Sequence, residues 1–401
     1  MPPTRKTGND YIIVRNLEDF TKRLQQGDLK NCVLRGIDVS MMCINWELVD
    51  TTNAVFLGCT FADIDEEIKL HRKRAQCFAP FVGLPYDPYR TKLYTPAELM
   101  AGYSVDQLDD EHNNSLDARI YRHFVDHGRH DADIVEALVQ RIHDFSIDNA
   151  IKELLGTDSA TGHSRRKAIG FMGGHATRRD DPHYYKTAYL ARMVTRKGYF
   201  VVSGGGPGIM EAANFGAYLA TADDTALEQA MKILCQVPNY ARADGQIEPG
   251  YVGQALEVLK LFPNGAENLA VPTWFYGHEP VNMFASHVGK YFSNSIREDG
   301  LLAISEYGVV FAPGSAATIE EVFINAAQNH YATFNFCSPM MFLGETHYLQ
   351  SQVYSCLAQQ AVGHAYAGMI TISDEPENLF RFLQQHPPIK VDTGHDPGLS
   401  A

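Results

Sequence analysis

Short apolar runs alternate with amphipathic stretches from residue 168 onward. Gly, Pro or polar residues bound each run, as is typical of strands buried on both faces of a parallel sheet. The intervening segments show helical spacing, as at Tyr185, Ala188, Tyr189 and Met193. This alternation predicts βαβ units and hence a doubly wound, mostly parallel α/β sheet. The predicted strands are AIGFM (168–172), YFVVS (199–203), KILCQV (232–237), LAV (269–271), GVVFA (308–312), MMFLG (340–344) and MITIS (369–373).

The first 160 residues follow a different pattern, which predicts a smaller N-terminal α+β region. Apolar residues recur every five positions, a spacing that fits neither a helix nor a flat strand. This register resembles a short pentapeptide-repeat segment, and irregular β structure is the alternative. Residues 115–155 have helical spacing. The register residues are Leu34, Val39, Ile44 and Val49, then Phe56 and Phe61 after a two-residue slip.

Turn residues followed by three basic residues at 155–167 mark a domain boundary. We therefore expect an N-terminal accessory region at 1–160 and a ligand-binding domain at 161–390. Residues 1–9 and the tail at 391–401 are polar and are expected to be loose.

Composition narrows the classes of function. The formal charge of −14 argues against a general nucleic-acid surface, although backbone N–H groups can still hold a phosphate. The sequence contains no run of about 18 apolar residues, so we expect no membrane span, and its first residues lack the apolar core of a signal peptide. Seven scattered cysteines without a C-x-x-C motif favour reduced thiols and a cytoplasmic location.

Two glycine-rich segments follow the first two predicted strands, where parallel sheets bind their ligands. The second of them, GGGPGIMEAAN at 204–214, leads into a helix start and can present N–H groups to a phosphate. It lacks the lysine of a P-loop, and Ile209 breaks the dinucleotide-binding fingerprint. A purely structural turn is the alternative. The predicted phosphate-binding residues here are Gly173, Gly174, Gly204, Gly205, Gly206, Gly208, Glu211 and Asn214.

A third small-residue loop, PGSAATIEE, occupies positions 313–321. Its predicted phosphate-binding residues are Gly314, Ser315, Ala316, Ala317 and Thr318. We expect Glu320 and Glu321 in the first helical turn, where the helix dipole would lower a carboxyl pKa.

A dense polar block precedes this loop, from Phe275 to Gly300, and includes His278, His287 and Arg297. A solvated helix face is the alternative to a functional role. The histidine spacing does not match a metal motif, so no metal site is predicted.

Taken together, the motifs at 204–214 and 313–321 resemble the paired signatures of the LOG family of nucleotide phosphoribohydrolases, over roughly residues 165–375. The resemblance implies a Rossmann-like domain that hydrolyses the N-glycosidic bond of a nucleoside 5′-monophosphate. By position, Arg297 and Glu321 match the catalytic pair, with Glu320 as a competitor for the glutamate's role. Ser315 and Ala317 replace glycines of the family motif. A positive φ at Ala317 would cost about 1 kcal/mol or more.

The resemblance also implies a homo-oligomer and a reaction without a cofactor. The ligand would be a nucleoside monophosphate, with neither nucleic acid nor membrane as a partner. Two other functions stay open: a non-catalytic nucleotide sensor that uses the same loops, and a scaffold protein dominated by residues 10–160.

Overall fold

The computed structural model describes residues 11–14, 16–103, 113–158, 161–243 and 245–391. The segments that were expected to be loose lie outside these ranges, except for residue 391. By internal contact the chain forms two compact units. Unit 1 comprises Met1–Lys92 and Asp133–Asn149, and unit 2 comprises Leu93–Ala132 and Ala150–Ala401.

Unit 1 contains a four-stranded sheet in which neighbouring strands pair in parallel, in chain order. Two nine-residue helices connect its outer strand pairs. The elements are β1 (Ile12–Val14), α1 (Leu17–Gln25), β2 (Cys32–Arg35), β3 (Val55–Leu57), α2 (Ile64–Arg72) and β4 (Gln76–Phe78).

Successive turns of unit 1 stack with a spacing longer than five residues. Val33 pairs with Val55, and Asp28 with Asp50, so these partners are 22 positions apart. The residues of the five-residue register pack in or against one core around Trp46. The register therefore marks buried positions, whereas a pentapeptide-repeat coil is not shown.

Three further helices precede the main sheet. The helical spacing over 115–155 is confirmed by two of them, α4 and α5. The helices are α3 (Pro96–Leu99), α4 (Leu116–Asp126) and α5 (Ile134–Leu155).

Unit 2 is built on a seven-stranded sheet whose neighbouring strands all pair in parallel. Its elements, in chain order, are β5 (Lys167–Met172), α6 (Pro182–Arg196), β6 (Tyr199–Ser203), α7 (Ile209–Tyr218), α8 (Ala226–Leu234), α9 (Pro249–Leu261), β7 (Leu269–Ala270), β8 (His287–Val288), α10 (Asn294–Ile304), β9 (Val309–Phe311), α11 (Ala316–His330), β10 (Phe336–Cys337), β11 (Met340–Leu343), α12 (Glu345–Gln350), α13 (Val353–Gln360), β12 (Ile370–Ser373), α14 (Pro376–Gln385) and β13 (Ile389–Lys390). The sheet order is β12-β11-β9-β5-β6-β7-β8, and β10 pairs separately with β13.

Six of the seven predicted strands of this region are confirmed, and the α/β class with a parallel sheet is confirmed with them. The strand predicted at 232–237 is wrong, because residues 232–234 end α8. Ala230, Met231 and Leu234 of that helix are buried at spacings of one and three. A short apolar run does not by itself distinguish a strand from a buried helical face.

Within the described ranges, no helix combines the length and the apolarity that crossing a bilayer requires.

Helices α6 and α7 meet at Gly216, and this contact fixes the helix that follows the glycine loop. A Cβ on Gly216 would lie 2.6 Å from the carbonyl carbon of Ala188 and 2.7 Å from its Cα. Backbone atoms cannot turn aside as a flexible side chain can. The close approach of the two helices therefore depends on glycine at this position.

We expect Gly216→Ala to lower the free energy of unfolding by about 1–3 kcal/mol or more, because the added methyl group overpacks the contact. Gly253→Ala on α9 is the matched control. Apart from its chain neighbours and its own helix backbone, no described atom lies within 4 Å of its Cβ position. That control should gain about 0.5–1 kcal/mol from helix propensity. Urea titration measures both values, and equal effects of the two substitutions would contradict this packing.

Candidate functional site

The candidate site lies where the strand order changes direction. The chain runs outward from β5 through β6, β7 and β8, and then returns to place β9 on the other side of β5. Ligands of open α/β sheets bind outside the carboxyl ends of strands at such a point. The loops that follow β5, β6 and β9 are the three predicted phosphate loops. Topology therefore brings these loops together.

Gly174 connects all three loops through its peptide groups. Its N–H donates to the carbonyl oxygen of Pro313 at 3.0 Å, and its own carbonyl oxygen accepts from the N–H of Ile209 at 3.1 Å. A Cβ on Gly314 would lie 2.9 Å from the Gly174 nitrogen. Hydrogen bonds and the small size of these residues hold the loops in contact.

The glycine loop at 204–208 is enclosed by its neighbours. The N–H of Gly205 donates to Ser203 Oγ at 3.0 Å. A Cβ on Gly205 would lie 2.8 Å from Pro272 Cδ, and one on Gly206 would lie 2.8 Å from Glu279 Oε2. Gly208, the N-cap of α7, has a φ of 70°, which favours glycine. The loop is thus tightly packed, with the carboxylate of Glu279 beside it.

Glu211 is occupied by partners within the protein. The guanidinium of Arg179 donates from Nε to Glu211 Oε2 at 2.9 Å and also from Nη2 to Oε1. The hydroxyls of Tyr184 and Tyr251 donate to the same carboxylate. Arg179 is fully buried, with its Cζ atom 3.4 Å from the centre of the Tyr251 ring. This ion pair ties the loop after β5 to the start of α7.

The side chain of Asn214 is also hydrogen-bonded in the interior of the protein. Its side-chain oxygen accepts from Ser203 Oγ at 2.6 Å and from Asn282 Nδ2 at 2.9 Å. Its amide group donates to Asn268 Oδ1 at 2.9 Å. The Asn214 side chain thus connects α7 to the residues around β7.

The amino end of α11 is exposed. Ser315 is its N-cap without a side-chain capping bond, and Ser315, Ala316 and Ala317 are all exposed. Helix α11 begins at Ala316, so Glu320 and Glu321 lie beyond its first turn, which carries no acidic residue. The expected placement of these glutamates in the first turn is therefore wrong. Ala317 is not among the residues with positive φ, so the strain considered there does not arise.

Arg297 and Glu321 lie side by side next to the glycine loop. Arg297 Nη1 is 3.5 Å from Glu321 Oε1, while Nε donates to the Val271 carbonyl oxygen at 2.8 Å and Nη2 to the Gly204 carbonyl oxygen at 3.3 Å. Burial raises the pKa of Glu321 to about 7, against the attraction of Arg297. This is opposite to the expected lowering, because desolvation exceeds the attraction.

Glu298 and Asn294 extend this cluster along α10. Glu298 Oε1 is 3.7 Å from Arg297 Nη1, and burial raises the pKa of Glu298. Asn294 Nδ2 donates to the Tyr276 hydroxyl oxygen at 2.8 Å. The polar block of the sequence contains all of these residues, but no spacing rule pointed to their grouping.

A buried ion pair holds the segment between β7 and α10. Asp117 of α4 accepts from Lys290 Nζ at 2.8 Å and from Trp274 Nε1 at 2.9 Å. Burial opposes ionisation of Asp117, yet Lys290 and His278 together hold its pKa well below the usual value. Sequence analysis missed this pair because its members are 173 positions apart. Elsewhere in the described ranges, no three His, Cys, Asp or Glu side chains are placed to hold a metal ion.

Comparisons with known proteins give a fold likeness only. No family model matches the chain, and no curated protein matches it. Among solved structures, a molybdenum cofactor binding protein from Rippkaea orientalis shares 13% identity with a TM-score of 0.35, covering 55% of this chain and 97% of its own. A molybdenum cofactor carrier protein from Chlamydomonas reinhardtii shares 14% identity with a TM-score of 0.34, covering 55% and 98%.

These neighbours correct the expected identity. They are molybdenum cofactor binding and carrier proteins, and neither is a nucleotide phosphoribohydrolase. The predicted membership of the LOG family is therefore wrong, and with it the N-glycosidic hydrolase activity and the nucleoside monophosphate ligand. The alternative of a nucleotide sensor is not supported either.

We expect Glu321→Gln to stabilise the protein at pH 8 but not at pH 4. A carboxyl group with a folded pKa near 7 opposes folding increasingly as pH rises from its unfolded value of 4.5 toward 7. Above pH 7 the gain from the amide is at most roughly 3 kcal/mol. Denaturant titration at both pH values measures the difference. Glu320→Gln, a substitution at an exposed position of the same helix, should have little effect on stability at either pH. Equal stabilities of Glu321→Gln and the wild type at both pH values would contradict a raised pKa at Glu321.

We expect Glu211→Gln to destabilise the protein by about 3 kcal/mol, because it leaves the Arg179 charge buried without its counterion. Tyr184→Phe removes one hydrogen bond from the same carboxylate and should cost about 1 kcal/mol. Thermal and urea denaturation provide the comparison. A near-neutral Glu211→Gln would show that the carboxylate does not connect the loop to α7.

Proposed function

We propose that this chain is a small-molecule binding protein that receives an anionic group of its ligand at the amino end of α11. The observation that supports this most directly is the open first turn of that helix, with exposed Ser315, Ala316 and Ala317. N–H groups at a helix start and the helix dipole together favour an anion. The site lies at the switch point of the sheet, where such folds bind ligands.

The neighbouring loop supports the same position. Gly174 and Gly314 have no side chains that would cover the helix start, and their backbones are in contact. Of the predicted residues, we assign Gly173, Gly174 and residues 314–318 to the anion. Arg297 and Glu321 lie next to each other, and Arg297 bonds to the glycine loop at Gly204. Glu211 and Asn214 hold the framework through their internal hydrogen bonds.

Binding titrations test the proposal. Calorimetry with inorganic phosphate, molybdate and sulfate at constant ionic strength measures whether a tetrahedral anion binds. The molybdenum cofactor is a further probe, because the similar structures are molybdenum cofactor binding and carrier proteins. Saturable binding of at least one of these probes is expected. Absence of binding by all of them would refute the proposal.

We expect Ala317→Asp to weaken anion binding at least tenfold, because a carboxylate would then compete for the first turn of α11. Stability should be unchanged or slightly improved, since acidic residues are favourable there. Ala327→Asp, also exposed on α11 but in its last turns, is the matched control and should bind normally. Equal affinities of the two variants would exclude the helix start as the anion site.

A cytoplasmic location and a homo-oligomeric state also stay predictions. All seven cysteines are free thiols, which supports a reducing compartment.

A further inference from the structure

Carboxylates are concentrated near Arg297 and the glycine loop. Glu279 lies beside Gly206, while Glu298 and Glu321 lie 3.7 and 3.5 Å from Arg297. Glu320 is close enough to raise the pKa of both Glu298 and Glu321 by repulsion. Three acidic side chains, those of Glu298, Glu320 and Glu321, thus interact with one another next to the guanidinium of Arg297. A positively charged group on the ligand would be attracted by these carboxylates.

Among the described residues, none donates a hydrogen bond to two buried oxygen atoms of this cluster. They are Asn294 Oδ1 and Glu298 Oε1, which lie one turn apart on α10. The residues are 8% and 3% exposed, so solvent does not satisfy them. Buried acceptors without a donor are rare in native proteins and call for a specific explanation. Both atoms can accept an N–H group, and no described residue supplies one.

A hydrogen bond from Asn294 lowers the pKa of Glu298, but no donor among the described residues satisfies its Oε1 atom. Arg297 uses Nε for the Val271 carbonyl and Nη2 for the Gly204 carbonyl. Its Nη1 is 3.7 Å from Glu298 Oε1, beyond hydrogen-bond distance. A metal ion is a poorer complement than an N–H group, because a guanidinium already lies beside this carboxylate. The missing partner is best described as a neutral or cationic nitrogen donor.

Tyr276 lies beside the two acceptors. Its side chain is exposed, with 61% of the residue's surface accessible, and its hydroxyl is bonded to Asn294. Glu298, Glu320 and Glu321 all act on the pKa of Tyr276, which places the ring at the cluster. Because the Tyr276 ring is exposed, its displacement would give a ligand access to Asn294.

We propose that the ligand carries an N–H donor group, such as an amine, amidine or ring N–H, which binds Asn294 and Glu298. This inference rests on the proposed function, because the anionic group of the same ligand occupies the start of α11. The ligand is thus amphoteric, with its negative end at residues 314–318 and its donor end at α10. Arg297 contacts the glycine loop at Gly204 and lies 3.7 Å from Glu298.

Matched phosphonates test the inference. Calorimetry compares 3-aminopropylphosphonate with propylphosphonate, and aminomethyl- and 2-aminoethylphosphonate with their alkyl counterparts, so that the spacing is sampled. For at least one chain length, the amino compound should bind the wild-type protein tenfold or more tightly than its counterpart. Glu298→Gln should reduce that preference to threefold or less, while propylphosphonate binds as well as before or better.

A charge-matched control separates hydrogen bonding from general attraction. Asp299→Asn removes an acidic group from the adjacent, exposed position of α10 and should keep the preference for the amino compound. Loss of the preference in both variants would point to long-range charge and overturn the inference. Equal binding of amino and alkyl compounds by the wild type would overturn it too, with the proposed anion site intact. Failure of inorganic phosphate, molybdate and every phosphonate to bind would instead refute the proposed function.

Discussion

The peptide groups of Gly174 join the three strand ends that form the candidate site. One hydrogen bond reaches the loop after β9, and another reaches the start of α7 after β6. Each bond requires backbones to approach without an intervening side chain, and Gly174, Gly208 and Gly314 meet that requirement. The arrangement of the loops, and hence the position of the open helix start, depends on this contact.

Around this contact, two buried ion pairs set the framework. Arg179 and Glu211 fix the loop after β5 against α7, while Asp117 and Lys290 fix the segment that leads into α10. Breaking either pair would leave an unpaired charge in the interior, which is far more unfavourable than losing an exposed pair. These pairs explain why a site rich in acidic side chains can keep a defined geometry.

Much of the main sheet could be predicted because local composition determines it. The run YFVVS became β6 with the same bounds, and Asp181 with Pro182 began α6 as the capping rules require. The strand expected at 232–237 failed because its apolar residues serve a helical face. In unit 1, the five-residue register marked buried positions but missed the 22-residue spacing of paired strands. The resemblance to a nucleotide hydrolase family was a further error, since short glycine motifs are shared by unrelated ligand sites.

By itself the sequence determined the α/β alternation, the three small-residue loops and the net acidity, because each is a property of neighbouring residues. Only the tertiary structure decided that Glu211 pairs with Arg179 and that burial raises the pKa of Glu321 to about 7. The tertiary structure also decided that two hydrogen-bond acceptors on α10 have no donor among the described residues. Such facts depend on desolvation and on partners distant in the chain. Neither can be read from local spacing.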